Sequence, residues 1–235
     1  MDLHLERKKV LITGSSKGIG KFIAKSFIKE GSSVILNGRD IKCLETTCKE
    51  LNATNYICGD VTDPNSAKRI VHDSIKINNG LDILICNLGS GKYKPSISFS
   101  KNKWLEIYNL NFFSTVLTIQ KFLGLLEKSK NPSITCISSI CGNTSLGCPI
   151  PYSTAKASLN HYVKNLSKHI AKKNIRINSI SPGNILFKGS TWEKKIIEDS
   201  NYVNDYIEKN VPLNKIGTPK DISEMVLYLS SDSSK

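Results

Sequence analysis

The sequence has 235 residues, 39% of them hydrophobic and 23% charged, which is ordinary for a globular protein with a single α/β domain. No apolar run approaches the roughly 20 residues of a membrane-spanning helix, and the first ten residues lack the apolar centre of a secretion signal. We therefore expect a cytoplasmic protein without a membrane partner.

The formal net charge of +13 is compatible with a nucleic-acid partner or with an acidic one. The basic residues are nearly all lysines spread along the chain, and no arginine-rich or aromatic-interleaved patch is present. A lysine-rich solvated surface explains the same charge. We predict no nucleic-acid partner, and an acidic partner stays open.

The seven cysteines are odd in number and mostly lie in apolar, strand-like runs. They show neither the Cys-x-x-Cys nor the Cys/His spacing of zinc sites. We expect buried, reduced thiols and no metal site.

Short apolar runs alternate with longer amphipathic segments. The apolar runs predict six strands, in chain order KVLITG, SSVILNG, NYICGD, LDILICN, SITCISS and IRINSISPG. The remaining segments predict helices over GIGKFIAKSFIKEG, about Asp40 to Leu51, Pro64 to Asn79, about Lys101 to Leu126, Pro151 to about Lys172, and about Pro219 to Leu229. This alternation predicts an α/β protein with a single Rossmann-type, doubly wound parallel sheet and helices on both faces.

The first strand runs into TGSSKGIG, which carries Gly14, Gly18 and Gly20 before a helix. Glycines let the backbone approach a pyrophosphate, and a helix N-terminus supplies N–H groups and the positive end of a dipole. The spacing differs from G-x-G-x-x-G, so a plain glycine-rich turn is the alternative. The position in the first βα unit favours dinucleotide binding.

The second strand ends in LNGRD, with Arg39 near the place where NAD-preferring sites usually carry an acidic residue. A guanidinium binds a 2′-phosphate through two hydrogen bonds, whereas a carboxylate repels it. Lys17 could supply a second positive charge. Asp40 is the competing residue, because a shift of one position would aim it at the ribose. We predict NADP(H) as the preferred cofactor and NAD(H) as the alternative.

The stretch YSTAK follows a Gly/Pro-rich run and predicts the start of a helix. Tyr152 and Lys156 are four residues apart and would share one helical face. A phenol beside an ammonium suits acid–base chemistry, since the ammonium favours the phenolate and lowers the phenol pKa. A surface tyrosine beside a solvated lysine is the alternative.

In their order, these motifs resemble those of the short-chain dehydrogenase/reductase family, from about Lys8 to Leu229. TGSSKGIG is similar to the family's TGxxxGxG turn, GDVTD to its third-strand segment, and SISPGN to its PG segment. ICNLGSG stands in the place of NNAG, with Cys86 and Leu88 as departures. The resemblance implies a 3-oxoacyl-carrier-protein-reductase-like enzyme or a related carbonyl reductase.

The resemblance also implies the site residues. Tyr152 would be the general acid, Lys156 would tune it and bind the nicotinamide ribose, Ser139 would hold the carbonyl oxygen, and Asn111 would hold a water. Otherwise Ser139 is a strand-end cap, Asn111 an amide bonded to backbone, and Lys156 a solvated charge. The implied cofactor contacts come from Gly14, Ser16, Lys17, Gly18, Ile19, Gly20, Arg39, Asp60, Val61, Asn87, Gly89, Tyr152, Lys156, Pro182, Gly183 and Ile185.

Three features depart from the family pattern. Phe187 stands where the family commonly has a threonine that contacts the nicotinamide carboxamide, and Lys215 stands where it has an arginine. The chain ends at LSSDSSK, where the family adds a seventh strand. Either the sheet lacks this strand, which we expect and which would leave the sixth as an exposed edge, or this sequence is incomplete.

The predicted function is NAD(P)H-dependent reduction of a ketone, either a small molecule or a carrier-bound 3-oxoacyl group. The alternative is a catalytically impaired NADPH-binding regulator. Residues 187–212 predict a substrate lid within the single domain 1–235. Trp192, Ile196, Ile197 and Tyr202 either line an apolar pocket there or pack the lid onto the body. The two long apolar helices predict a homodimer or homotetramer.

Overall fold

The computed structural model describes residues 2–235, which form one six-stranded parallel sheet in the order β3-β2-β1-β4-β5-β6. The strands are β1 (Lys9–Ile12), β2 (Ser33–Gly38), β3 (Asn55–Cys58), β4 (Ile83–Cys86), β5 (Ser133–Ile137) and β6 (Arg176–Ile180). The α-helices are α1 (Gly18–Lys29), α2 (Ile41–Leu51), α3 (Pro64–Asn78), α4 (Lys101–Tyr108), α5 (Ser114–Leu126), α6 (Ile150–Ile170), α7 (Thr191–Glu198), α8 (Ser200–Asn210) and α9 (Pro219–Ser230).

Each strand sends alternate side chains into two separate cores, one on each face of the sheet. Val10 and Ile12 of β1 pack with α1, α2 and α9. Leu11, between them, packs with α3, α5 and α6 on the opposite face. This confirms the predicted doubly wound sheet with helices on both faces.

The strand order reverses between β1 and β4, which are neighbours in the sheet. The chain leaves β1 toward β2 on one side and leaves β4 toward β5 on the other. In such sheets a crevice opens beyond the carboxyl ends of the strands at this point. The segments that follow β1, β4 and β5 therefore meet at one edge.

The predicted helix from Lys101 to Leu126 is divided. A π-helical segment, Asn109–Phe113, separates α4 from α5. Such segments occur frequently at functional sites. This one carries Asn111, whose side chain is fully buried.

The expectation of reduced thiols is wrong for Cys141 and Cys148, which form a disulfide. The free cysteines comprise the buried Cys48, Cys86 and Cys136 and the half-buried Cys43 and Cys58. Within residues 2–235, no cluster of His, Cys, Asp and Glu could hold a metal ion, and no helix is long and apolar enough to cross a membrane.

Two features close the ends of helices. Asn52, Asn79 and Asn174 follow helical segments in the left-handed conformation, with φ of 52°, 49° and 56°. Arg176, at the start of β6, donates to the carbonyl oxygens of Leu229 (2.8 Å) and Ser231 (2.9 Å). These bonds tie the end of α9 to the sheet edge, and no further strand follows β6 within residues 2–235.

Candidate active site

The glycine-rich turn joins β1 to α1, and the N–H groups at the start of that helix have no side-chain cap. Gly14 and Gly18 have positive φ angles of 63° and 59°, which residues with a Cβ rarely adopt. No side chain caps α1 and no acidic residue lies in its first turn, whereas Asp side chains cap α2 and α3. The helix therefore offers N–H groups and a positive dipole end to an anion. The predicted residues Gly14, Ser16, Lys17, Gly18, Ile19 and Gly20 are all assembled around this turn.

Asn87 follows β4 and fixes the same turn. Its Nδ2 donates to the carbonyl oxygens of Thr13 (3.1 Å) and Gly14 (3.0 Å). A Cβ at Gly20 would lie 2.5 Å from both Asn87 Nδ2 and the Gly14 oxygen. Only a residue without a side chain fits there, so Gly20 is required by the bond that holds the turn.

The end of β2 separates the two candidates for ribose recognition. Asp40 is the N-cap of α2 and accepts from the Cys43 N–H at 3.1 Å. That hydrogen bond lowers the pKa of Asp40, and the Asp40 carboxylate caps the N-terminus of α2. The Arg39 side chain is 67% exposed, and its Nη1 lies 3.4 Å from Asp60 Oδ2. Arg39 is thus largely exposed and contacts Asp60, whereas Asp40 is engaged in capping α2.

Asp60 lies beyond β3 and is held as a carboxylate. Its Oδ1 accepts from Thr62 N at 2.8 Å and from Thr62 Oγ1 at 2.6 Å. Burial raises the pKa of Asp60, but the Thr62 hydrogen bonds and the charge of Arg39 outweigh it, so the net pKa is lowered. Val61 beside it is buried.

Asn111 is bonded to backbone at both ends of its amide. Its Oδ1 accepts from Ser90 N at 2.8 Å, and its Nδ2 donates to the Ile107 oxygen at 3.0 Å. The first bond links the π-helical segment to the loop after β4. A Cβ at Gly89 would lie 3.0 Å from Asn111 Oδ1 and 3.1 Å from Lys156 Nζ. Asn111 and Lys156 therefore converge on the same glycine.

Lys156 is a buried lysine, with only 3% of its surface exposed. Its Nζ donates to the Ile137 carbonyl oxygen at 2.9 Å. Burial lowers its pKa to about 8, and the neighbouring Cys136 only partly opposes this. The alternative of a solvated lysine charge is wrong, since Lys156 lies within the protein one helical turn after Tyr152.

Tyr152 lies beside Ser139 at the end of β5. Burial raises the pKa of the Tyr152 phenol, and the interaction with the Ser139 side chain partly opposes that rise. The sequence predicted a pKa lowered by Lys156, and that expectation is wrong for the protein alone because burial dominates. Gly91 packs on the phenol ring, since a Cβ there would lie 3.1 Å from Tyr152 Cζ.

The PG segment borders the site from the side of β6. The Pro182 oxygen accepts from Ile140 N at 2.9 Å, one residue after Ser139. Ile185 is buried and pairs with Gly217 in an isolated bridge. Gly183 is exposed between them.

Phe187 contacts the glycine turn. A Cβ at Gly18 would lie 3.0 Å from Phe187 Cε2, so the ring rests on that glycine. Phe187 is one of the three departures from the family pattern, and its ring lies against Gly18 of the glycine-rich turn. An aromatic ring covers the turn where the family commonly has a hydroxyl.

The family model for short chain dehydrogenases matches residues 8–195. The chain belongs to that family. Among its similar relatives is the 3-oxoacyl-[acyl-carrier-protein] reductase FabG of Chlamydia trachomatis, 30% identical over 235 residues, which cover 98% of this chain and 92% of the relative. Among solved structures, the L-sorbose reductase of Gluconobacter frateurii complexed with NADPH and L-sorbose superposes with a TM-score of 0.92. It is 26% identical, and the match covers 100% of this chain and 93% of that one.

For this short-chain dehydrogenase, sequence reasoning missed the loop after β4 beyond Gly89. Ser90 binds Asn111, Gly91 packs on Tyr152, and Lys92 Nζ donates to the Gly189 oxygen at 2.6 Å. The two glycines of NLGSG were the available signal, because glycine after a strand often marks a close backbone approach. Sequence reasoning also missed the Cys141–Cys148 disulfide, which lies in the segment from Ser139 to Tyr152.

Replacing Lys156 by methionine should stabilise the protein near neutral pH. The unfolded chain binds the Lys156 proton more tightly than the folded one, because the folded pKa is about 8 instead of 10.5. Burial of the charged lysine thus lowers the free energy of unfolding. This loss has its full size below pH 8 and disappears as the pH rises toward 10.5. We expect Lys156→Met to gain on the order of 2 kcal/mol at pH 7, measured by urea denaturation, with a smaller gain at pH 9.5.

The matched control is Lys164→Met, at an exposed position of the same helix. It should change the free energy of unfolding by less than about 0.5 kcal/mol at either pH. A Lys156→Met gain that is absent, or equal at both pH values, would contradict a buried ammonium.

Proposed function

We propose that this short-chain dehydrogenase reduces a ketone to a secondary alcohol, with NADP(H) preferred and NAD(H) as the alternative cofactor. The observation that carries the proposal is the convergence of Tyr152 with Ser139 and of Lys156 with Asn111, at the same sheet edge as the uncapped start of α1. The similarity to a 3-oxoacyl-carrier-protein reductase and to an NADPH-bound L-sorbose reductase supports it.

The residues present fit a dinucleotide. The uncapped start of α1 suits a pyrophosphate, and the exposed Arg39 guanidinium suits a 2′-phosphate. The Arg39–Asp60 contact is long and exposed, so it opposes such a ligand only weakly. When bound, the nicotinamide supplies the hydride. The other proposed contacts come from Gly14, Ser16, Lys17, Gly18, Ile19, Gly20, Asp60, Val61, Asn87, Gly89, Tyr152, Lys156, Pro182, Gly183 and Ile185.

Reduction leaves a growing negative charge on the ketone oxygen, and the protein must supply a proton there. Tyr152 is protonated at neutral pH and can donate that proton, but its raised pKa makes it a weak acid, so the donation depends on help from a neighbouring charge. Ser139, next to it, can donate a second hydrogen bond to the same oxygen. A protonated Lys156 then favours the phenolate that Tyr152 becomes. Its pKa of about 8 lets Lys156 exchange protons near neutral pH.

The substrate proposals are a small-molecule ketone and a carrier-bound 3-oxoacyl group. The lid that we propose at 187–212 contains α7 and α8. Trp192 stacks near Tyr206, with ring centroids 5.1 Å apart, and Ile196 is half-buried. Ile197 and Tyr202 are 78% and 54% exposed. Trp192 thus packs within the lid, and the exposed pair offers apolar surface to a substrate.

Replacing Tyr152 by phenylalanine should lower kcat by at least about 100-fold, because the proton donor is lost. The dissociation constant for NADPH, measured by fluorescence titration, should change by less than about threefold, since the ring and its packing remain. Tyr228→Phe, at an exposed position of α9, is the control and should keep normal turnover. Normal turnover by Tyr152→Phe would disprove the mechanism.

Replacing Arg39 by serine should weaken NADPH binding by at least about tenfold and leave NADH binding nearly unchanged, since only NADPH carries the phosphate. Titration calorimetry with both cofactors measures the difference. Arg69→Ser, which alters an arginine of α3 bonded to the Cys58 oxygen, should affect neither. An equal loss for both cofactors would refute phosphate recognition by Arg39.

We also propose that α4, α5 and α6 form the contact of a homodimer or homotetramer. Trp104, Tyr108 and Phe112 form an aromatic row with centroid distances of 6.1 and 6.2 Å. Leu105 and Phe113 beside it are 49% and 40% exposed. Sedimentation should show an oligomer that Phe113→Lys shifts toward monomer, and a monomeric parent protein would refute the assignment.

A further inference from the structure

The segment between Ser139 and Tyr152 contains the disulfide. Cys141 and Cys148 have Cα atoms 6.5 Å apart, within the usual range for a disulfide. Both residues are half-buried. Small oxidants and reductants can therefore reach this pair more readily than the fully buried Cys86 and Cys136.

The bridge provides a short covalent path between the two proposed catalytic hydroxyls. Cys141 lies two residues after Ser139, and Cys148 lies four residues before Tyr152. Along the chain, Ser139 and Tyr152 are thirteen positions apart. The Cys141 N–H also donates to Ser139 Oγ at 3.2 Å. One residue of the bridge is thus in direct contact with the proposed oxygen-binding serine.

The first part of the segment is held on α6 without the bridge. Gly142 packs on the helix, since a Cβ there would lie 2.7 Å from the Lys156 carbonyl carbon. Asn143 Oδ1 accepts from Asn160 Nδ2 at 2.7 Å, and Thr144 N donates to the Ile140 oxygen at 3.0 Å.

The second part depends on the bridge. Ser145, Leu146 and Gly147 are exposed and make no hydrogen bond to other residues in 2–235. Gly147 has a positive φ of 68°. Cys148, which follows them, is the point where the segment is fastened before Pro149 begins the approach to α6. Without the bond, residues 145–148 lose their nearest anchor.

We propose that Cys141 and Cys148 are a reversible dithiol–disulfide modification site. The bridge sets the shape of residues 141–148, which we call the wall and which lie between Ser139 and Tyr152 in the chain. Oxidation by a hydroperoxide removes two electrons and two protons from the thiols and forms the S–S bond. The O–O bond of hydrogen peroxide breaks, and two waters leave. A dithiol reductant reverses the change. The role in substrate binding rests on the proposed function, whereas the modification itself does not.

The disulfide form is the more active one, because it fastens residues 145–148 of the segment that joins Ser139 to Tyr152. Reduction of the Cys141–Cys148 disulfide should raise KM for the ketone by at least about threefold, since a less ordered wall positions the substrate less well. The dissociation constant for NADPH should stay within about twofold, since the glycine turn is remote in sequence and is fixed by Asn87. The melting temperature should fall by about 5 °C on loss of this short loop closure.

The test compares the purified full chain after hydrogen peroxide and after dithiothreitol. Alkylation and mass spectrometry report the two-hydrogen difference in the peptide with Cys141 and Cys148, and hydrogen exchange reports protection of residues 142–148. The Cys141→Ser and Cys148→Ser variants should each behave like the reduced protein and lose the response to peroxide. Cys43→Ser, which removes a half-buried free cysteine, should keep the full response.

Two outcomes would overturn the proposal. One is a pair that stays reduced in peroxide; the other is a KM that is the same in both forms or higher in the oxidised one. If no ketone is turned over in either form while exchange and melting still respond to oxidation, the proposed function fails and the modification site stands. If a ketone is turned over equally well in both forms, the proposed function stands and the bridge has no role in substrate binding.

Discussion

The side-chain amide of Asn87 joins the two halves of the site across the reversal of strand order. It stands after β4 and donates to two carbonyl oxygens of the turn after β1. This bond leaves no room for a side chain at Gly20. Two residues further on, Gly89 lies against Asn111 and Lys156. One short loop therefore sets the position of the glycine-rich turn relative to Asn111 and Lys156.

Burial sets the electrostatics of that group more than charge pairing does. It lowers the pKa of Lys156 to about 8 and raises that of Tyr152, so at pH 7 Lys156 is still an ammonium while Tyr152 is a neutral phenol. A neutral tyrosine is a donor and not an acceptor of protons. A neutral phenol can protonate an oxygen, which is the step that the proposed reduction requires. The same burial destabilises the fold, as expected where chemistry and stability compete.

Much of the fold was predictable because its strands are continuous apolar runs and its motifs follow strands. The glycine turn and the PG segment could be placed at one sheet edge from the sequence. The π-helical segment could not, because its hydrogen-bond spacing leaves no mark in the pattern of apolar residues. The Cys141–Cys148 pair could not either, since its spacing matches no metal or redox motif. The direction of the Tyr152 pKa depended on burial, which only the packed structure reveals. That Asp40 caps α2 was not visible in the sequence either, and this capping favours Arg39 as the proposed phosphate contact.

The asparagines that terminate helical segments have a further consequence. Asn52, Asn79 and Asn174 are all in the left-handed conformation, where glycine escapes the clash between Cβ and backbone. None of the three lies at the carboxyl ends of the strands where the chemistry is placed. Replacing these asparagines by glycine would therefore raise the free energy of unfolding without disturbing the proposed catalytic residues. The gain would offset the cost of burying the Lys156 ammonium.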